Sequence, residues 1–355
     1  MKSVVLERSS ESDIAVRIRP CTDTDEPAWE QFVSSCRQAT FFHRYGWKRV
    51  ISRAFGHTPH YLIAERDNKI CGVLPLFHLR SFLFGNSLIS VPFCVYGGVA
   101  ANDEDSSVQL IAAGMELAQE LQVDYLELRS LVAQKPEWPV KELYVTFRKA
   151  ISADPDENLK AIPRKQRAMI RRAMKANLES SQGDDIDTLY AMYSESVRNL
   201  GTPVFSKRYL RLLDEEFGDA CETTIIRHEG RPVAGVMSFY FRDEVLPYYG
   251  GGSSAARAVS ANDFLYWQVM CRAVERGVTV FDYGRSKINT GSYRFKKHWG
   301  FTPVPLQYEY GLVRATEIPN LSPTNPRYRL FIDLWKRMPL PLSRVIGPML
   351  ARSLG

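Results

Sequence analysis

The side chains best suited to chemistry are concentrated in one stretch, FDYGRSKINTGSYRFKKHWGF, residues 281–301. Asp282 interrupts an otherwise apolar run, where a carboxylate could orient an incoming amine or an arginine; pairing with Arg285 or Lys287 is the structural alternative. The planar fork of Arg285 suits a phosphate, or else braces a turn. Tyr283, Tyr293, Phe295, Trp299 and Phe301 read as packing, with Tyr293 the member placed to face a cleft. His298 is a candidate base or a solvated neighbour, and none of the six histidines stands at metal-ligand spacing. The six cysteines are scattered with no CxxC pair, which argues against a disulfide framework or structural zinc and fits a reduced cytoplasm.

The elements that position this stretch are written twice. HYLIAERDNKICGVLPLF leads to VYGGVA, a helical run VQLIAAGMELAQELQ and the strand VDYLELRS; later ETTIIRHEGRPVAGVMSFYF leads to YYGGGSS, NDFLYWQVMCRAVERG and VTVFDYGRS. Gly72 matches Gly235, Gly97 and Gly98 match Gly250 and Gly251, and Glu127 matches Asp282, at offsets of about 163, 153 and 155. Only the second copy runs on into the basic and aromatic stretch, directly after a strand, where active-site loops of α/β folds lie. One working site in a duplicated scaffold is therefore expected.

A chain of 355 residues is long enough for two cores, and 45% hydrophobic with 24% charged residues describes a globular protein. The N-terminus breaks its apolar residues with charges and no apolar run reaches a spanning length, so neither a signal nor a membrane span is expected. The net charge of +6 is uneven: residues 160–175 hold seven cations and no acid, and residues 321–355 hold six cations against Asp333. Such clusters attract phosphates, nucleic acid or anionic lipid. In the tail, Leu330, Phe331, Leu334, Trp335 and Met338 share a helical stripe, and Pro339 and Pro341 interrupt its continuation.

Antiparallel strands leading to a glycine-bearing strand, then a helix and a further strand, resemble the GNAT acyltransferase fold, in which neighbouring strands splay and backbone groups by the helix start hold the acyl donor. Gly250 and Gly251 would admit a ligand close to the backbone, or serve a turn or bulge. The Q/R-x-x-G-x-G/A loop that marks coenzyme A binding is absent, which points to another donor. The stretch from Asp282 to Phe301 is similar, more specifically, to the terminal motif of the FemAB/FemX family. These duplicated GNAT-like proteins transfer aminoacyl groups from aminoacyl-tRNA to an amine of a peptidoglycan precursor. The likeness spans roughly residues 25–315 and is greatest to the branch associated with PEP-CTERM and exosortase systems.

That resemblance implies a catalytic role for Lys296, in the pair Phe295-Lys296, stabilising the developing oxyanion or the donor's phosphates. In an extended segment its neighbour Lys297 would point to the opposite face. The resemblance also places precursor-phosphate contacts on Tyr249 and Tyr209, and an N-terminal phosphate site on Trp47 with Lys48 or Arg49. The family's arginine one turn before Tyr209 is Phe205 here, with Lys207 and Arg208 nearby, which suits an acceptor other than a UDP-linked one.

The expected fold class is α/β (α+β): two tandem GNAT-like acyltransferase domains, 1–153 and 184–318, joined by a linking helix, 154–183, and followed by a basic amphipathic tail over 319–355. The expected activity is N-acyl or aminoacyl transfer to an amine of a cell-envelope or exopolysaccharide precursor. Lys296 and Asp282 are the catalytic candidates, and Tyr249, Tyr209, Trp47, Lys48, Arg49, Arg285, Tyr293, Gly250 and Gly251 the substrate-binding ones. No cofactor is expected, the donor being a co-substrate: aminoacyl-tRNA, contacted by the 160–175 run, or alternatively acyl-CoA. Expected partners are that tRNA, a phosphorylated or lipid-linked precursor, and an inner-membrane surface met by the tail, with the protein cytoplasmic. A non-catalytic duplicate binding RNA or membrane is the alternative of another class.

Overall fold

The computed structural model describes residues 15–81, 85–183, 185–318 and 326–353. In chain order the first unit contains β1 (Arg17–Pro20), α1 (Glu26–Ser35), α2 (Gly46–Phe55), β2 (Thr58–Arg66), β3 (Lys69–Ser81), β4 (Gly85–Ser90), β5 (Ala100–Ala101), α3 (Glu104–Glu120), β6 (Tyr125–Ser130) and β7 (Tyr144–Ala150). The second contains α4 (Pro155–Ala161), α5 (Arg164–Met174), β8 (Leu178–Gly183), α6 (Ile186–Leu200), α7 (Lys207–Phe217), β9 (Cys221–His228), β10 (Arg231–Phe241), β11 (Glu244–Gly252) and α8 (Ala261–Glu275). It closes with β12 (Val280–Asp282), β13 (Ser286–Lys287), α9 (Gly291–His298), β14 (Pro303–Pro305), β15 (Gln307–Leu312), α10 (Pro326–Arg337) and α11 (Leu340–Ala351).

Local chemistry sets most boundaries. Asp103 caps α3 by accepting from Ser106 N at 2.8 Å, and Asp185 and Ser206 do the same for α6 and α7. The β2–β3 hairpin turns at Asp67 and Asn68, both at positive φ, as its twist requires. The single helix expected over 154–183 is instead two, α4 and α5, divided at Pro163, after which the chain enters β8. A second expectation fails: residues around Lys296 form a helix, not an extended segment. Thr290 starts α9 by accepting from Tyr293 N, a cap whose signal the aromatic residues of the motif obscured.

The two sheets follow one plan. The first runs β1-β2-β3-β4-β6-β15 and the second β8-β9-β10-β11-β12-β7, with β5 on β3 and β13 and β14 on β7. In both, four strands are antiparallel neighbours, the fourth lies parallel to the fifth, and the sixth returns antiparallel. The sixth strands are exchanged: β7 leaves the first unit to complete the second sheet, and β15 leaves the second unit to complete the first.

A shared core reinforces the exchange. Phe41 stacks on Phe239 at 4.5 Å, and both belong to a buried cluster drawing on α1, α2 and β2–β4 from one unit and α6, α7, β9 and β10 from the other. Arg242 donates to the carbonyls of Cys36 and Ala39, which ties the β10–β11 turn to the end of α1.

Candidate active site

In each sheet the parallel pair runs together briefly and then parts. In the second sheet β11 and β12 pair only at Glu244 with Val280 and Val245 with Phe281. Beyond Asp282 the chain turns through Gly284, whose φ of 63° favours glycine. Lys296, reaching back from α9, donates from Nζ to the carbonyls of Tyr283 (2.6 Å), Gly284 (2.9 Å) and Arg285 (3.2 Å). Three acceptors match the three donors of an ammonium group. Burial acts against that charge and lowers the Lys296 pKa to about 7, partly opposed by Asp282. Lys297, one position on, is exposed. Tyr283, Phe295, Trp299 and Phe301 pack around Tyr266 and Phe281, and Tyr293 lies against Phe147 at 5.5 Å.

Asp282 is fully buried and saturated with donors. It accepts from Tyr96 Oη at 2.7 Å, Thr146 Oγ1 at 3.1 Å and Gly284 N at 2.7 Å, and Arg148 Nε stands 3.4 Å away. The arginine it orients is thus Arg148, brought by the exchanged strand β7, and not Arg285 or Lys287. Arg148 also pairs with Glu244. Burial raises the pKa of Asp282 and of Glu244 against the pull of Arg148. In the first sheet the matching acid, Glu127, pairs instead with Arg129 of its own strand at 2.7 Å.

This network borders a cavity of 1060 Å³ where the units meet, lined among others by His43, Tyr96, Gly98, Ser130, Arg148 and Glu244. The cavity wall includes the end of β6 and the chain beyond it, where Gln134 accepts from Val99 N at 3.0 Å and donates to Val99 O at 2.6 Å. His43 is held neutral: Nδ1 accepts from Thr40 N, Nε2 donates to Gly98 O at 2.9 Å, and burial lowers its pKa to about 4. Phe147 packs toward Lys296 while Thr146 and Arg148 face Asp282, so alternation along β7 puts Lys296 on the opposite face from the cavity. Lys296 reaches the network through the turn it clamps, since Gly284 N caps Asp282.

The remaining sequence candidates are distributed elsewhere. Tyr209 and Tyr249 meet, with their hydroxyls 2.8 Å apart, inside an aromatic cluster that includes Phe205 and Phe55. Trp47 is buried and donates to Phe41 O, Lys48 pairs with Asp23 at 2.7 Å, and Arg49 pairs with Glu216 and Glu26. Near Phe205, Lys207 pairs with Asp187. Gly250 and Gly251 allow β11 to pack closely, a Cβ on Gly251 meeting Met192 O at 2.6 Å. Arg285 rests over Tyr144 and Tyr308 and donates to Tyr308 Oη at 3.3 Å, with no carboxylate partner among the described residues. Tyr96, Arg148 and Glu244 were not singled out from the sequence. Tyr96 had a signal, because VYGG repeats YYGG; Arg148 and Glu244 had none, since their proximity depends on the exchange of β7.

Residues 164–297 match the family model described as Acetyltransferase (GNAT) domain, a match that takes in Lys296. The chain has a GNAT acyltransferase fold. Its structure is similar to that of FemX, with a TM-score of 0.67 and 12% identity over 89% of this chain and 100% of that one. It is also similar to the C-terminal domain of a putative lysylphosphatidylglycerol synthetase from Agrobacterium fabrum (TM-score 0.55, 14% identity, 81% of this chain and 90% of that one). A tandem GNAT protein from the clavulanic acid biosynthesis pathway gives a TM-score of 0.50 at 13% identity over 83% of this chain and 98% of that one. No curated protein matches the sequence.

Proposed function

We propose that the protein is an N-acyltransferase that moves an aminoacyl group from aminoacyl-tRNA to the amine of a cell-envelope or exopolysaccharide precursor. The acceptor class is the one favoured by the resemblance to the PEP-CTERM and exosortase-associated branch. The observation that carries the reading is the cavity between the units, bordered by a buried network to which both contribute: Tyr96 from one, Glu244 and Asp282 from the other, and Thr146 and Arg148 on the exchanged strand.

In this reading the acceptor amine attacks the ester carbonyl of the donor. A C–N bond forms, the carbonyl electrons move to oxygen, and collapse of the adduct breaks the ester C–O bond to release the tRNA. Glu244 lines the cavity, and its raised pKa suits it to take the proton the amine loses and return it to the departing ribose oxygen, so that the tRNA leaves as a free hydroxyl. Arg148, fixed between Glu244 and Asp282, supplies positive charge beside the developing oxyanion. Lys296 is a positioning residue that holds the turn capping Asp282.

The exposed face of α5 supports a tRNA donor: Arg164, Arg167, Arg171, Arg172 and Lys175 border one groove and have no ion pair among the described residues. Coenzyme A fits less well. Buried Asp263, in the first turn of α8, accepts from Gln166 and Trp299 and sets a carboxylate where a pyrophosphate would seek the helix start. The test is to incubate the protein with radiolabelled aminoacyl-tRNA or acetyl-CoA and a cell extract of nucleotide-linked and lipid-linked precursors. Label passing from tRNA into an amine-bearing product supports the reading; transfer from acetyl-CoA alone refutes the donor assignment.

A further inference from the structure

The last helix buries small side chains and exposes large ones, and the helix before it leaves large apolar side chains exposed beside one buried tryptophan. On α11 the buried positions are Ser343, Gly347 and Ala351, and Gly347 lies so close to Val204 that a Cβ would come within 2.9 Å of its backbone. The opposite face carries Leu342, Val345 and Met349, which are 46%, 68% and 70% exposed and lie one helical stripe apart from the core. On α10, Trp335 is buried while Phe331 and Leu334 are 39% and 59% exposed; the side chain of Leu330 lies outside the described residues. Leu200 ends α6, the helix on which both pack, and is 70% exposed. Six of the eleven exposed large hydrophobic side chains among the described residues therefore belong to this corner.

The arrangement is fixed to the body of the protein. Arg198 donates to Met338 O at 3.0 Å, Arg344 to Ser194 Oγ at 2.9 Å, and His57 Nε2 to Arg352 O at 2.7 Å. These contacts hold α10 and α11 by their inner faces and leave the apolar faces outward. Lys336, Arg337 and Arg352 flank them, with Asp333 the single acid of the segment. Large apolar side chains bordered by cations match the two layers of an anionic lipid surface, acyl boundary and headgroup phosphates. No helix among the described residues is long and apolar enough to cross a membrane, so contact would be in the plane of the surface.

We infer that α10 and α11 form a docking surface for an anionic lipid bilayer, with Leu342, Val345 and Met349 entering the acyl boundary and Lys336 and Arg337 meeting the headgroups. The test is flotation of the full chain with vesicles of phosphatidylcholine alone or mixed with phosphatidylglycerol. The wild type should float with the mixed vesicles, less with the neutral ones, and less as salt rises. Val345→Glu/Met349→Glu should reduce the bound fraction by about tenfold or more, and Lys336→Glu/Arg337→Glu by a similar factor, with unchanged melting temperatures. Failure of the wild type to bind the mixed vesicles overturns the inference. So does equal binding by Val345→Glu/Met349→Glu, or a wild-type dimer that this double variant dissolves, which would assign the face to a second copy.

Discussion

Lys296 shows how a residue picked out by a sequence motif is placed by the turn it clamps. The family resemblance selects the residue, but its ammonium group is spent on three carbonyls of the turn after β12. Its burial has a consequence for stability. With a pKa of about 7 in the folded chain and the ordinary value of 10.5 when unfolded, the unfolded state binds more protons between those limits. Stability should therefore rise with pH from about 7 toward 9.5, by at least about 1 kcal/mol. Urea titrations at several pH values check this. The rise should be smaller in Lys296→Met, where the burial-lowered Lys141 and Lys287 remain, and an equal slope in both proteins would assign it to those or other groups. Asp282 was legible as a candidate carboxylate because it interrupts an apolar strand, whereas its partner Arg148 lies 134 positions away on a strand that the sequence places with the other copy.

At the level of elements, the duplication was readable in the order of strands, turns and helices, because local patterns of alternation and capping repeat along the chain. The exchange of β7 and β15 was not, since each strand reads identically whichever sheet receives it. The glycines of YYGGGSS were equally ambiguous. In the structure a Cβ on Gly251 would meet Met192 O and Ser196 Cβ on α6 at 2.6 and 2.8 Å, a contact with backbone that cannot easily give. Gly251→Ala should cost about 2 kcal/mol through overpacking. Gly291, at the exposed start of α9 with nothing within 4 Å, should accept alanine within about 0.5 kcal/mol. Thermal melts of the two variants decide the matter, and equal effects would remove the packing account of these glycines.

For the whole molecule, the exchanged strands and the core cluster running through both units leave no seam along which the halves could separate. The chain should unfold in one cooperative transition. Phe239, stacked on Phe41 and buried with residues of both units, is the position to probe: Phe239→Ala should lower stability by about 4 kcal/mol while leaving the transition single. Calorimetry showing two transitions, with only one displaced by the substitution, would mean that the units are energetically separate. The same coupling explains why the cavity was not legible in advance, because its lining draws on segments from residue 34 to residue 244 that meet only when the exchange is complete.

The measurement that bears most directly on the proposed activity is single-turnover transfer of a labelled aminoacyl group from aminoacyl-tRNA, compared among the wild type, Glu244→Gln and Lys297→Ala. Glu244 lines the cavity with a pKa raised by burial, so removing its ability to take a proton should slow transfer by about a hundredfold. Lys297 is exposed on α9, away from the clamped turn, and its loss should change the rate by less than about twofold. Transfer by Glu244→Gln at the wild-type rate, or no transfer by the wild type from any aminoacyl-tRNA, would contradict acyl transfer in the cavity between the units.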